Sequence, residues 1–243
     1  MAVFRQNWQP DAKTSKQNAS GDFTLSNPHN NPMNPSRFWP TRTAKPFIAA
    51  GLLLVCFGAA MAASVQVLVQ DKAGRPLQDA IVFLESADAS RARLAGKSLT
   101  GIEIQQVNRQ FEPRVVVVPQ GTAIQFPNRD NVRHHVYSFS AAKNFELKLY
   151  SGTPANPVVF DKSGIAVLGC NIHDHMVAWV VVVDTPYYGK SAAAGRVTLP
   201  QVPPGAYRLR VWHADLPVGA PALDRALAVD AADATVTLRM EGL

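Results

Sequence analysis

Val177-Ala178-Trp179-Val180-Val181-Val182-Val183 limits the fold of this chain more than any other stretch. β-branched side chains are stiff at χ1 and favour extended backbone. The run is short, bounded by Met176 and Asp184, and reads as a buried strand. Shorter runs of the same kind lie at Ala80–Leu84, Val115–Val118, Ala123–Phe126, Val136–Phe139 and Ala166–Leu168, and Ser64–Gln70 alternates like a strand with one buried face. Gly, Pro, Asn and Asp punctuate them, as in the turn Asp71-Lys72-Ala73-Gly74-Arg75-Pro76. No segment after residue 63 has a convincing 3.6-residue periodicity. Short strands at this spacing predict an all-β sandwich or barrel.

The first 62 residues read differently. Residues 1–46 are polar and rich in Asn, Pro and Ser, a leader without apolar periodicity. Residues 47–62 are apolar and uncharged, follow Arg42 and Lys45, and end in Ala60-Met61-Ala62. Basic flank, apolar core and small-x-small site are the parts of a secretory signal peptide. The run is also at the short end of what could anchor a chain in a bilayer, so contact with a membrane is expected only through an uncleaved signal. Met33 would start a conventional signal and is the expected start, with residues 1–32 then expected to come from a mis-assigned one. Cleavage after Ala62 gives a periplasmic or secreted protein beginning at Ala63. It removes six Lys/Arg and two Asp/Glu, so a net charge of +6 falls to +2. The basic character belongs to the leader, and no nucleic-acid partner is expected. Cleavage also removes Cys56, a poor lipobox cysteine because branched Val55 precedes it. Cys170 is then the only cysteine, and an unpaired thiol in an oxidising compartment is expected to be buried or metal-bound.

Cys170-Asn171-Ile172-His173-Asp174-His175-Met176 places a thiolate, an imidazole and a thioether at C-x2-H-x2-M spacing just before the valine strand. Upstream lies His134-His135-Val136, past Phe126-Pro127-Asn128. One cysteine, two histidines and one methionine form the donor set of a mononuclear blue copper centre, with a trigonal plane of sulfur and two nitrogens and a long axial thioether. Such a set compromises between Cu(I) and Cu(II), and three donors on one loop held between strands make a rigid cage. His134 and His135 point to opposite faces of a strand, so only one can face a metal. Singly, each residue has a plainer role: a lone cysteine packs in a core, a methionine beside valines does the same, and Asp174-His175 makes a solvated turn. The joint occurrence points to copper. His175 is expected to be exposed, His213 to lie away from this site, and His29 belongs to the leader. The chain has no C-x-x-C, C-x-x-C-H, H-E-x-x-H, P-loop or G-x-S-x-G pattern.

From Glu103 to Asn128 the order is an early strand, Phe111-Glu112-Pro113, a valine strand, a turn at Gly121, and a strand ending in Phe126-Pro127-Asn128. With His134 and the Cys170 loop, this resembles a cupredoxin over residues 101–184. The short ligand loop is similar to that of amicyanin. Phe145–Tyr150, Gly169–Asp174 and Thr185–Tyr188 resemble the cupredoxin-like proteins labelled methylamine-utilisation proteins. The resemblance implies a Greek-key cupredoxin β-sandwich and type 1 copper, Cu(II)/Cu(I), held by His134, Cys170, His173 and Met176. His135 is the second choice for the first histidine. Two departures stand out: His135 occupies the place of the usual asparagine, and His175 that of a large apolar residue.

The function implied is one-electron transfer rather than enzymatic turnover. The edge of His173 would be the electron port, Ile172 and Pro186 its rim, and a periplasmic dehydrogenase or cytochrome the partner. A copper carrier or store, and a metal-free structural or adhesion module, are the alternatives. Val67–Leu84 and Gly195–Trp212 resemble a carboxypeptidase-regulatory-like, or prealbumin-like, β-sandwich. Residues 63–100 and 185–243 would be its two parts, with the cupredoxin of 101–184 inserted between them. Three sequential units are the rival arrangement.

Overall fold

Seventeen strands and one helix make up the regular structure of the described residues, which are 62–96 and 99–243 of the computed structural model. The leader, the possible start at Met33, Cys56 and the apolar segment fall in residues 1–61 and lie outside the described residues. In chain order the elements begin with β1 (Ala63–Asp71), β2 (Ile81–Glu85), α1 (Ala87–Ala95), β3 (Ile102–Glu103), β4 (Gln105–Val107) and β5 (Gln110–Glu112). Next come β6 (Val115–Pro119), β7 (Thr122–Gln125), β8 (His134–Ser140), β9 (Lys143–Tyr150), β10 (Val158–Phe160) and β11 (Gly164–Cys170). The last are β12 (Val177–Val183), β13 (Tyr188–Lys190), β14 (Arg196–Val202), β15 (Gly205–Trp212), β16 (Leu223–Val229) and β17 (Ala234–Met240).

Four sheets stack with three apolar cores between them. The outer sheet, in the order β14-β1-β17, faces the sheet β13-β2-β15-β16. Val65, Val67 and Val69 of β1 fill that space with Val82, Leu84, Leu209 and Val211. The five-stranded sheet β6-β12-β11-β8-β9 faces the small sheet β10-β7-β3. Ala166, Leu168, Ala178, Val180 and Val182 meet Ile124, Phe126 and Phe160 there. A third core joins the two sandwiches, with Ile81, Phe83 and Trp212 on one side and Val115, Trp179, Val181 and Val183 on the other. Among the described residues, all of this lies within one compact unit.

The valine strand is explained by this stacking. Side chains alternate between faces along a strand. Ala178, Val180 and Val182 enter the core shared with β7 and β10, while Trp179, Val181 and Val183 enter the core between sandwiches. Both faces of β12 are dry, so its sequence has no polar alternation. β2 behaves likewise, with Val82 and Leu84 on one face and Ile81 and Phe83 on the other. At the sheet edge β9 instead alternates half-buried and exposed positions over most of its length and carries Lys143, Glu146 and Lys148. Charges of this kind discourage edge-to-edge pairing.

Helix α1 departs from the expectation of no helical segment. It forms through its ends. The Ser86 hydroxyl oxygen accepts from the Ala89 N–H at 3.1 Å, Asp88 sits in the first turn and Arg93 in the last. Only Ala89 and Arg93 are buried, so there is no apolar stripe to read. Among the described residues, no helix is long and apolar enough to cross a membrane.

Candidate metal centre

Pairing between β11 and β8 builds the site. The strands run antiparallel with Gly169 opposite Tyr137 and Cys170 opposite Val136, which brings the end of β11 beside the start of β8. Cys170 alternates inward with Leu168 and Ala166 and is 2% exposed. The following loop is pinned at two points. The Asn171 N–H donates to the His135 carbonyl at 3.2 Å, and the Met176 N–H closes a tight turn onto the His173 carbonyl at 2.9 Å. The loop then enters β12, whose two buried faces hold its end in place.

Within this frame, Cys170 Sγ lies 3.8 Å from His134 Nδ1 and 4.0 Å from His173 Nδ1. The three donor atoms all fall within 4.8 Å of one another, and the two imidazole centroids are 5.1 Å apart. A first-row metal with M–N about 2.0 Å and M–S about 2.3 Å, centred in a trigonal plane, sets N and S about 3.7 Å apart. The spacing of these three side chains fits that requirement. Met176 is 1% exposed, packs in the same core as Cys170 and lines the same cavity. Thiolate, two imidazoles and a thioether suit copper rather than a hard cation.

Both imidazoles present Nδ1 to the sulfur, and their other nitrogens differ. His134 is completely buried, and its Nε2 meets Asp130 Oδ2 at 2.7 Å. Burial pushes the Asp130 carboxyl up, but the Arg109 N–H, the His134 ring and the Asn108 N–H outweigh it and hold the group below its usual value. His173 is half-buried. Desolvation, then the charges of His134, Arg109 and His175, push it below the ordinary histidine range, with Asp130 opposing. A neutral imidazole is the form that offers a lone pair.

His135 turns the other way. Its Nε2 comes within 2.9 Å of Glu146 Oε1, yet the nitrogen has no aligned hydrogen-bond partner, so the contact is a charge contact at most. The ring stands edge-on to Tyr137 at 6.1 Å. The β8–β9 ladder is irregular here: His134 pairs with Tyr150 and Val136 with Leu147, which leaves an extra residue on β9. Leu149 takes up the slack with φ of 30°.

The structure brings His134, Cys170 and His173 together, the one such group of metal-capable side chains among the described residues. His175 is exposed, its ring 6.1 Å from that of His173. His213 lies in the other sandwich, its Nε2 on the Gln78 carbonyl at 3.0 Å and its Nδ1 accepting from the Asp215 N–H at 3.2 Å. Pro186 is not a rim residue beside His173. It follows the far end of β12, and a seven-residue strand separates its ends by about 20 Å. Ile172 does stand next to His173, 48% exposed.

Asp130 is the residue that sequence reading missed. Its signal is an acidic side chain in the loop four residues before a candidate ligand histidine, and metal-bound histidines commonly hand their second nitrogen to a carboxylate.

Two facing sheets with a histidine-cysteine-histidine cluster at one end now define residues 102–183. This is an all-β sandwich with a candidate metal site at one end. Solved structures match parts of the chain at low identity and low TM-score. A copper-containing nitrite reductase from Thermus scotoductus SA-01 is 21% identical over 47% of this chain, with a TM-score of 0.33, and the match spans only 28% of that enzyme. A purple cupredoxin from Nitrosopumilus maritimus is 21% identical over 34% of this chain and 99% of its own, with a TM-score of 0.30. A reduced Cu(I) form of an amicyanin variant is 19% identical over 42% of this chain and 98% of its own, with a TM-score of 0.32. No protein-family model matches the chain, and no curated protein matches it.

Proposed function

We propose that this chain is a type 1 copper protein that passes single electrons between redox partners. The observation that carries the reading is the trigonal spacing of His134 Nδ1, Cys170 Sγ and His173 Nδ1 beside buried Met176. His134, Cys170, His173 and Met176 would hold the metal, which supplies a one-electron couple. The protein's part is to keep the donors in place: β8, β11 and β12 fix three of them, and buried Cys170 and Met176 are shielded from water. The half-buried His173 is the one donor with an edge toward solvent, and exposed Ile172 beside it offers a small apolar contact. Redox encounters of this kind are weak and small in area.

The partners would be redox proteins such as a periplasmic dehydrogenase or cytochrome, and the protein an exported carrier rather than an enzyme. The methylamine-utilisation-like motifs and the signal-like segment at 47–62 support this placement. We also read residues 63–100 and 185–243 as two parts of one sandwich into which 101–184 is inserted. The shared core of β1, β2, β14, β15 and β17 supports that reading. A copper carrier is the second reading, favoured by exposed His175 next to His173, which could pass metal to and from the site.

Adding Cu(II) to purified protein tests the proposal. An intense blue thiolate charge-transfer band and a type 1 EPR signal are expected, and Cys170→Ser should remove both while leaving the far-UV circular dichroism in place. A carrier would hold only Cu(I) and remain colourless. A spectrum unaffected by Cys170→Ser would exclude Cys170 as a ligand.

A further inference from the structure

One polar side chain in the metal region has no place in the donor set. Asp130 is only 13% exposed and sits between the turn of one hairpin and a fully buried histidine. Its Oδ1 accepts from the Asn108 N–H at 2.7 Å, and its Oδ2 from the Arg109 N–H at 2.9 Å. The same Oδ2 meets His134 Nε2 at 2.7 Å. Asn108 and Arg109 are the two turn residues between β4 and β5, with φ of 53° and 58°. Two successive left-handed residues make a type I′ turn, and their N–H groups converge on the carboxylate. The Asp130 backbone is held as well, its N–H donating to Asn128 Oδ1 at 2.9 Å. Asn128 in turn donates to the carbonyls of Val132 and Tyr150, at 2.8 and 2.9 Å. The carboxylate is therefore fixed from three directions before it touches the imidazole.

We infer that Asp130 is a positioning residue for the metal: its carboxylate holds the proton of His134 on Nε2, aims the Nδ1 lone pair at Cys170 Sγ, and favours the Cu(II) state over Cu(I). The inference rests on the copper reading of the site. Its first part follows from donor inventory. A carboxylate can only accept, so the nitrogen 2.7 Å from it carries the hydrogen and the other nitrogen keeps the lone pair. Its second part follows from charge. A fixed negative group bonded to a ligand imidazole interacts more strongly with the doubly charged ion than with the singly charged one, and at 13% exposure water screens it little. Partners of this kind change metal affinity by about 10–100-fold.

The plainer role is that Asp130 merely staples the β4–β5 turn to the loop before β8. That role alters stability and leaves the metal's electronic balance alone. Asp130→Asn separates the two. An amide oxygen in the place of Oδ2 still accepts from Arg109 and His134, so the imidazole contact is kept while the charge and the one bond from the Asn108 N–H to Oδ1 are lost. Asp130→Ala removes both.

Two measurements test the inference. In metal-free wild-type protein, long-range proton–nitrogen NMR should show His134 protonated on Nε2. Finding the proton on Nδ1 overturns the proposal without any variant having to fold. In copper-loaded protein, Asp130→Asn should cut the preference for Cu(II) over Cu(I) about tenfold, which is about 59 mV more positive in reduction potential. Asp130→Ala should shift it further and broaden the EPR signal. An unchanged potential in Asp130→Asn, with a native amide spectrum, leaves only the staple role and refutes the inference. If wild-type protein gives no charge-transfer band with Cu(II), the copper reading fails by itself, and the His134 tautomer still decides whether Asp130 orients the ring.

Discussion

Replacing Trp179 by alanine should loosen the two sandwiches from each other. Trp179 is buried on the face of β12 that points away from the core holding Cys170 and Met176. Its ring lies 6.2 Å from that of Trp212, tilted by 52°, and the Arg114 guanidinium covers it at 4.8 Å from the ring centre. Truncating a buried tryptophan costs about 3–5 kcal/mol through lost transfer energy and the cavity left behind. Within that, the aromatic pair contributes about 0.5–1.5 kcal/mol and the partly exposed arginine about 0.5–1 kcal/mol. A domain's whole stability is about 5–15 kcal/mol, so the loss is large. Trp179 and Trp212 are the only tryptophans after residue 62, so in a protein produced from Ala63 onward intrinsic fluorescence reports the contact between sandwiches. Urea unfolding of metal-free protein should give coincident fluorescence and circular-dichroism transitions, since one core continues into the next. Trp179→Ala should lower the dichroism midpoint by an amount equivalent to at least about 3 kcal/mol. A cycle of Trp179→Leu and Trp212→Leu should return a coupling of about 0.5–1.5 kcal/mol. A fluorescence transition well ahead of the dichroism transition in the wild type, or a Trp179→Ala cost under about 1 kcal/mol, would refute the view that this core holds the sandwiches together.

Three further outcomes are expected. His134→Ala should abolish the type 1 EPR signal, while His135→Asn, altering a ring that faces Glu146, should keep it with a modest shift; the reverse result would mean that the two histidines exchange roles. Gly195→Ala should lower stability by more than about 1 kcal/mol in urea, because φ is +70° and the added Cβ would lie 2.5 Å from the Val69 carbonyl oxygen. Asp71 accepts from the Arg75 and Ala73 backbone and from the Arg75 side chain, and these bonds outweigh burial to hold it below 3.8. A depressed carboxyl stabilises the fold above its unfolded value and loses that contribution as pH falls below 3.8. Asp71→Asn should therefore lessen the fall in stability on the acid side of pH 4, as read by unfolding midpoints across an acid series; an acid limb as steep as the wild type's would mean that other groups carry it.

How much of this was legible in the chain depends on how local each feature is. C-x2-H-x2-M needs only a short loop, so the neighbourhood of Cys170, His173 and Met176 could be read directly. Strand alternation required His134 and His135 to diverge, but which one turns inward depends on pairing with β11. The valine run announced a buried strand without saying that two different cores enclose it, because that depends on the partner sheets. Helix α1 was invisible because capping and charge make it, with no apolar stripe. Pro186 was misplaced by ignoring strand length: the residue that follows β12 cannot share an end with the residue that precedes it. Asp130 needed the path of a loop and the turn of a separate hairpin, and neither leaves a periodic mark. The parallel pairing of β1 with β17, Val65 opposite Ala234, joins segments from opposite ends of the described chain and has no local signature.

β12 has a consequence for how this protein can change over generations. A strand with one wet face has positions where substitutions are nearly free. Here six of seven positions are buried, and they answer in turn to different neighbours. A change at Ala178, Val180 or Val182 must be accommodated among the residues packed around Cys170 and Met176. A change at Trp179, Val181 or Val183 must be accommodated by the other sandwich. The two halves of the molecule are thus bound to a shared history: neither can drift in shape along this strand without the other recording it, and a saturation-mutagenesis profile of β12 should show two interleaved patterns of tolerance rather than one.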